Sequence, residues 1–448
     1  MPRDARQLRS DALEIWQAGL DRVRSERLIQ ESVRIEDDLL WLAEEPIALH
    51  DFDRITVIGA GKAGAGMAAA LEAVLGAERI RDKQVRGWVN VPADCVRPLQ
   101  AIRLHAAREP GVNEPSPQGV WGTEQILALV NRLGPRDLCI GLLSGGASAL
   151  LPAPAAGITL ADKRTVTQFL SDAGANIGQL NTVRKQLSRV KGGRLARACK
   201  AGKFVTLIVS DVLGDPLDLI GSGPTVIDPS TPRDALEVLE AFGAREAGVD
   251  QRVFRFLSHQ CAEGTRYPET VSNYIIGNNA LAVDAAGIRA EQLGYSHAMI
   301  AANRLEKSAE EVGRHLAAQA RQMAVGQGPD CLISGGEPIV ELVPANERGL
   351  GGRNQQLVLA AAIELRAAER IALLSGGTDG EDGPTDAAGA FIDENVLQQA
   401  MDLGLDPGDF LRRNDAYHFF SPLEALLKTG PTNTNVCDLR VITVAPQT

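Results

Sequence analysis

Leu8, Ala12, Ile15, Trp16, Leu20 and Val23 recur at helical spacing, so residues 4 to 30 read as a surface helix with one apolar face. Beyond it, short apolar runs alternate with longer amphipathic stretches. The short runs predict strands at 54–58, 85–91, 137–143, 204–209, 272–276, 330–333, 370–374 and 438–444. The longer stretches predict helices at 63–75, 117–132, 160–172, 279–293, 306–324 and 353–367. Strands separated by helices argue for α/β layers with largely parallel sheets. Residues 243–270 are polar and show no clear strand, which places a domain boundary near residue 265 and divides the chain into 1–265 and 266–448.

Composition narrows the class. Hydrophobic residues make up 44% and charged residues 23%, as in an ordinary soluble globular protein. Aromatic residues reach only 4%, so the core must be built from Ala, Leu, Val and Ile. A net charge of −11 argues against a general nucleic-acid binder, which needs a basic face. The six cysteines lie far apart with no C-x-x-C, which argues against zinc, and Cys139 and Cys331 fall in apolar runs that read as buried strands holding reduced thiols. Arg3, Asp4 and Arg6 stand where a signal peptide would need apolar residues, and no stretch approaches ~18 uninterrupted apolar positions. A cytoplasmic protein acting on small molecules, without membrane or nucleic-acid partners, is expected.

The candidate chemistry begins at VIGAGKAGAGMA, residues 57–68. Gly59, Gly61 and Gly64 fit the dinucleotide fingerprint G-x-G-x-x-G, but Lys62 sits inside it. The fingerprint also needs an acid at the end of the next strand to hold the ribose. Glu78 and Asp82 come before that strand, which ends in Asn90 and Val91. A lysine in the turn is useful where a phosphoryl group moves, because charge develops on the transferring oxygens. Gly61-Lys62 and Gly202-Lys203 are not followed by Ser or Thr, so the chain is not a P-loop enzyme.

Three apolar strands run into Ser-Gly-Gly: Ser144-Gly145-Gly146, Ser334-Gly335-Gly336 and Ser375-Gly376-Gly377. Such a tripeptide at a strand's carboxyl end can expose successive N–H groups to an anion, or can simply make a tight turn. The segment 207–231 offers Ser210, Asp211, Asp215 and Asp218 after a strand, and carboxylates placed there suit Mg2+ or a general base. Asp218 is expected to cap or to face solvent. GLGGRNQQLVLAAA delivers Arg353 to the first turn of a helix, where a cation is unfavourable unless an anion lies beside it. Residues 375–393 gather Asp379, Glu381, Asp382 and Asp386 among glycines without the EF-hand spacing. Residues 181–196 put Arg184, Lys185, Arg189, Lys191 and Arg194 on a helix and its end. They read as a solvated face, with Lys191 beside Gly192-Gly193 as the anion candidate.

From about residue 10 to the end, the order and spacing of GAGKA, LLSGGASALL, N-x-V-R-K…S-x-x-KGGRLA, SDVLGDPL with GSGPT, GLGGRNQ, SGGTDG and TGPTNTNVCDL resemble the glycerate 2-kinase family, whose members carry a C-terminal MOFRL domain. The resemblance implies a Rossmann-like N-terminal α/β domain, a MOFRL-type C-terminal α/β domain and an active site in the cleft between them. It implies phosphorylation of D-glycerate at its 2-hydroxyl with ATP and Mg2+. The matching active-site positions are Lys62, Asp211, Arg353, Asp379 and Asn435. Lys62 and Arg353 would neutralise the γ-phosphoryl group. Asp211 would accept the 2-hydroxyl proton or, with Asp379, ligate Mg2+. Gly59, Gly61, Ser144, Gly145, Gly146, Ser148, Lys191, Ser334, Gly335 and Gly336 would hold nucleotide phosphates and the glycerate carboxylate. A homo-oligomer is compatible with this reading. REPGVNEP, residues 108–115, stands where the family pattern has His-Pro-x-Pro-Asp, and this bears on substrate preference. The alternative is an NAD(P)H-dependent hydroxypyruvate or tartronate semialdehyde reductase, a label also given to family members. It lacks the ribose acid, and its candidate proton donor, His418, lies in a stretch that reads as a packed helix.

Overall fold

The computed structural model describes residues 3–445 except 113, 261–266, 305, 327 and 366–369. The boundary expected near residue 265 lies outside the described residues. Two compact units are formed: residues 28–210 with 216–276, and residues 1–27 with 211–215 and 277–448. All eight strands expected from the sequence are present, five of them within one residue at each end.

The first unit is built on a six-stranded sheet in the order Ile102–Arg108, Arg86–Pro92, Arg54–Ala60, Asp137–Leu143, Lys203–Val209, Val271–Gly277. Numbered along the chain, that order is 3-2-1-4-5-6, the doubly wound dinucleotide-fold order. The first five strands run parallel. Every residue of Asp137–Leu143 is buried, as in a strand covered on both faces. The strand order reverses between Arg54–Ala60 and Asp137–Leu143. Ligands of open α/β sheets bind outside the carboxyl ends of such a pair. Two further pieces were not legible from apolar runs: a three-stranded antiparallel sheet over 33–48, and Ile102–Arg108, whose sequence IRLHAAR carries three polar residues. Helices Leu160–Asp172, Ile177–Gln186, Pro232–Ala241 and Gln251–His259 bury Val166, Leu170, Val183, Leu239 and Phe254 in their own core. The last of these falls in 243–270, the stretch read as polar without a clear strand.

The second unit carries a sheet in the order His297–Ile300, Cys331–Gly336, Asp438–Val444, Ile371–Gly377, Gly389–Ile392, Leu426–Leu427. Its first pair is parallel and the other four are antiparallel, because Asp438–Val444 inserts in the opposite sense between two strands that end in Ser-Gly-Gly. The register sets Arg440 between Ser334 and Ser375, and Asp438 between Gly336 and Gly377. Helix Ala5–Arg22 packs against this sheet instead of lying on the surface. Leu8, Ala12, Ile15, Trp16 and Leu20 share a core with Val283, Ala286, Leu439 and Val441, and Trp16 Nε1 donates to Leu439 O at 3.1 Å. The apolar stripe showed that a cover was needed, but not that it lay more than 400 residues away. Among the described residues no helix is long and apolar enough to cross a membrane.

Candidate active site

At the reversal point of the first sheet, the turn after Arg54–Ala60 and the turn after Asp137–Leu143 are bonded to each other. Lys62 N donates to Gly145 O at 2.9 Å, Ser144 N to Ala60 O at 3.2 Å, and Ala63 N to Ser144 Oγ at 3.0 Å. Gly61 N donates to Asn90 O at 3.2 Å, and Gly64 N to Gly61 O at 3.1 Å. The four N–H groups that a dinucleotide pyrophosphate would approach, Gly61 through Gly64, are therefore all taken within the chain. Gly59 and Gly61, expected to bind through their backbone, serve close packing: a Cβ would lie 2.3 Å from Leu142 O at Gly59 and 2.0 Å from Ser144 Oγ at Gly61. The ribose position at the end of the next strand holds Asn90. It is buried and hydrogen-bonded to Trp88 Nε1 and Leu150 O.

The second turn behaves differently. The N–H groups of Gly145 and Gly146 donate to no acceptor among the described residues, and Gly146 is left-handed at φ +79°. Consecutive N–H groups in this conformation form an anion nest. A Cβ on Gly146 would lie 3.4 Å from Arg108 Nη2 and 3.6 Å from Lys62 Cγ, so two cationic side chains border the nest. Arg108 opens the REPGVNEP segment, of which Asn113 lies outside the described residues. Two positions on from Gly146, Ser148 Oγ accepts from Lys191 Nζ at 2.8 Å. Lys185 and Lys191 are buried, which overturns the solvated-face reading of 181–196, and the helix there ends at Gln186.

In the second unit, Asp211, Arg353, Asp379 and Asn435 lie around the start of Asp438–Val444. Asp211 Oδ2 accepts from Asn435 Nδ2 at 3.2 Å, and Cys437 Sγ donates to Asp211 O at 3.0 Å. Arg353 is the first residue of helix Arg353–Glu364. The anion required beside it comes from the chain itself. Nε and Nη2 donate to the two oxygens of Asp438 at 2.8 and 2.9 Å, and Nη1 donates to Glu337 at 3.0 Å. Burial works against the charge of Arg353, and Asp438 and Glu337 outweigh it, holding the guanidinium more firmly protonated than usual. Burial raises the Glu337 carboxyl against the pull of Arg353. Asp379 Oδ1 accepts from Glu381 N at 3.1 Å.

The other two Ser-Gly-Gly tripeptides are not exposed turns. Both lie inside strands and are laddered to Asp438, Leu439 and Arg440, because an antiparallel neighbour continues past them. Ser334, Gly335 and Gly336 line a cavity of about 490 Å3 together with Asn303, Glu306, His315 and Arg440. Asp218 is half-exposed and paired with Lys185, near the expectation for it. His418 lies in helix Ala416–Phe420, which packs through Ala416, Phe419 and Phe420, but its own side chain is exposed and bonded to Asp415.

Comparison with known proteins matches residues 11–258 to the Domain of unknown function DUF4147 and residues 330–438 to the MOFRL family. The chain is 36% identical to a D-glycerate 2-kinase of Thermotoga maritima over 97% of this chain and 98% of that protein. The chain belongs to the glycerate kinase family. The human glycerate kinase is 37% identical over 87% of this chain and 84% of its own. A putative hydroxypyruvate reductase of Agrobacterium vitis is 40% identical over 87% of this chain and 99% of its own. The crystal structure of the Thermotoga maritima glycerate kinase aligns with a TM-score of 0.83, covering 98% of this chain and 100% of that one.

Within this glycerate kinase fold the sequence reading missed Asp438 and Glu337, and it named Asp382 only as one of four acids among glycines. Asp438 has no exposed side-chain area, and it and Arg440 stand two apart in the otherwise apolar run DLRVITV. Paired charges on one face of a central strand were the available signal. Asp382 accepts from Asn354 N at 2.9 Å and Gln355 N at 2.8 Å, supplying the anion at the N-terminus of the helix that carries Arg353. Gly352 leaves room for it, since a Cβ there would lie 2.4 Å from Asp382 Cγ.

Proposed function

We propose that this chain transfers the γ-phosphoryl group of ATP to the 2-hydroxyl of D-glycerate. The observation that carries the reading is the contrast between the two turns of the first sheet. The fingerprint turn keeps its N–H groups for the chain and contributes Lys62, while the Ser144-Gly145-Gly146 turn offers an open nest beside that lysine. A cation next to an anion nest suits a phosphoryl group; a dinucleotide needs the opposite arrangement and a ribose acid. Full-length similarity to a D-glycerate 2-kinase supports the same choice. The relatives called putative hydroxypyruvate reductases share the fold, and the Asn90 position gives a reductase nothing to hold ribose.

Phosphoryl transfer depends on positioning and on neutralising charge, with little covalent work for the protein. Lys62 bears on the transferring oxygens. Arg353 has three of its five N–H groups on Asp438 and Glu337, which lock the guanidinium plane and leave two for phosphoryl oxygens. Asp211, oriented by Asn435, accepts the proton of the 2-hydroxyl or, in its alternative role, binds Mg2+ with Asp379. Ser334, Gly335 and Gly336 contact nucleotide through the cavity they line.

Asp211 and Asp379 lie at this end of the sheet beside Arg353, whose guanidinium is already paired with Asp438 and Glu337. The donor set fits a divalent cation. No three His, Cys, Asp or Glu groups among the described residues converge tightly enough to hold one unaided. Asp379, with Asp211 where Asp211 is a ligand and not the base, would hold Mg2+, which would supply charge neutralisation on the phosphates when bound. The five described cysteines are free thiols, which suits a reducing compartment, and we assign the enzyme to the cytoplasm.

The regiochemistry is tested by coupling the reaction to enolase without phosphoglycerate mutase. Immediate enolase turnover is expected, from 2-phosphoglycerate. A product that enolase ignores until mutase is added would be 3-phosphoglycerate and would overturn the assignment.

A further inference from the structure

Five cations meet where helix Ile177–Gln186 faces the loop that follows the nest. Three have structural partners. Lys163 Nζ donates to Arg184 O at 3.2 Å and Leu187 O at 3.0 Å, closing the C-terminus of that helix. Lys185 pairs with Asp218 at 3.2 Å and Asp228 at 3.6 Å. Arg194 donates to Lys185 O, Lys191 O and Gln186 Oε1.

Lys191 and Arg184 are different. Lys191 Nζ reaches only neutral oxygens: Ser148 Oγ at 2.8 Å, Ser148 O at 3.0 Å, Gly221 O at 3.3 Å and Ser222 Oγ at 3.4 Å. Its three N–H groups are fully engaged, so it fixes the two loops and contributes charge. Arg184 donates once, from Nη2 to Ser148 Oγ at 2.8 Å, and neither cation has a carboxylate partner among the described residues. One serine hydroxyl thus accepts from two cations while lying 3.2 Å from Ser222 Oγ. Two partly or wholly buried positive charges on one neutral oxygen are unfavourable without an anion. Arg184 and Ser148 are half-buried and reachable, whereas Lys191 is sealed. Four of the five guanidinium N–H groups of Arg184 are uncommitted, in the planar fork that matches two carboxylate oxygens.

We infer that Arg184 is the anchor for the carboxylate of the acceptor substrate, with Lys191 holding Ser148 and the Gly221-Ser222 turn around it. This rests on the glycerate kinase reading for the identity of the acceptor. Burial and the neighbouring cations depress the Lys191 ammonium well below its usual range, and an arriving carboxylate relieves that repulsion. The rival occupant is a nucleotide phosphate, which offers the same oxyanion chemistry.

The test uses Arg184→Ala and Arg184→Lys in the full chain, with thermal unfolding confirming that each folds. Calorimetric titration with D-glycerate alone should show affinity reduced roughly 30- to 100-fold in Arg184→Ala, the loss of a bidentate charged contact. Arg184→Lys, which keeps charge and loses the fork, should recover part of it. In turnover the KM for glycerate should rise by a similar factor while the KM for ATP stays within about threefold. A rise in the ATP KM alone would make the site a phosphate seat and overturn the inference, as would unchanged glycerate affinity. Failure of the wild-type enzyme to phosphorylate glycerate would instead remove the kinase reading, and the titration would still decide the carboxylate anchor.

Discussion

Replacing Gly61 by Ala puts the packing of the two turns to a direct test. At φ +145° the alanine backbone is strained, and its Cβ would lie 2.0 Å from Ser144 Oγ and 2.8 Å from both Ser144 N and Ser144 O. The hydroxyl can rotate, but the backbone atoms cannot yield without moving the strand end. Rotation also breaks the Ala63 N–H bond to Ser144 Oγ, which is 3.0 Å long and buried. Strain, overpacking and the lost hydrogen bond together amount to about 3–5 kcal/mol. Gly404→Ala is the control. It follows helix Glu394–Asp402 at φ +66°, and nothing lies within 4 Å of the added Cβ, so only left-handed strain of about 1–2 kcal/mol applies. Urea unfolding followed by circular dichroism should show Gly61→Ala less stable than Gly404→Ala by about 2–3 kcal/mol. Its kcat should also fall at least tenfold, because a shift of about 1 Å near the reacting group is costly. Equal destabilisation of the two variants would refute the interlocked turns.

Lys62→Ala should lower kcat by roughly 10²-fold with the unfolding midpoint unchanged, as when one charge-stabilising donor is removed; a pure KM effect would make Lys62 a binding contact. Arg353→Ala should lower kcat similarly and also destabilise the protein by about 2–4 kcal/mol, because Asp438, with no exposed side-chain area, loses its bidentate partner; an unchanged unfolding midpoint would contradict that pairing. Burial, reinforced by Arg184 and Arg194, lowers the Lys163 ammonium to about 7. The unfolded chain then binds more protons between about pH 7 and 10, so Lys163 makes stability rise with pH across that window, with its full cost present below pH 7. Lys163→Met should flatten this slope, read as the difference between the two proteins' unfolding free energies at pH 6.5 and 9.5; parallel slopes would exclude the assignment.

Strands of the first sheet were legible because parallel strands buried on both faces read as short apolar runs, as in DLCIGLL. The fingerprint turn was legible too, but its use was not. Whether Gly61 to Gly64 offer N–H groups depends on Asn90, Ser144 and Gly145, which arrive from other strands. The same limit governs the three Ser-Gly-Gly tripeptides. One opens into a nest and two are laddered to Asp438–Val444, and nothing local to the tripeptides distinguishes them. Arg353 at a helix start was correctly read as needing an anion. Its source in Asp438, 85 residues on, was fixed by sheet register. The basic run 181–196 misled because surface charge is the usual meaning of such a stretch, whereas here Lys185 and Lys191 face inward.

A phosphoryl group and a hydride are told apart by one paired assay. Purified protein is incubated in parallel with D-glycerate plus MgATP and with hydroxypyruvate plus NADH, following ADP release and absorbance at the NADH band. ADP formation that requires both glycerate and Mg2+ is expected, with no oxidation of NADH. Robust NADH oxidation, or ATP turnover indifferent to glycerate, would contradict phosphoryl transfer to glycerate.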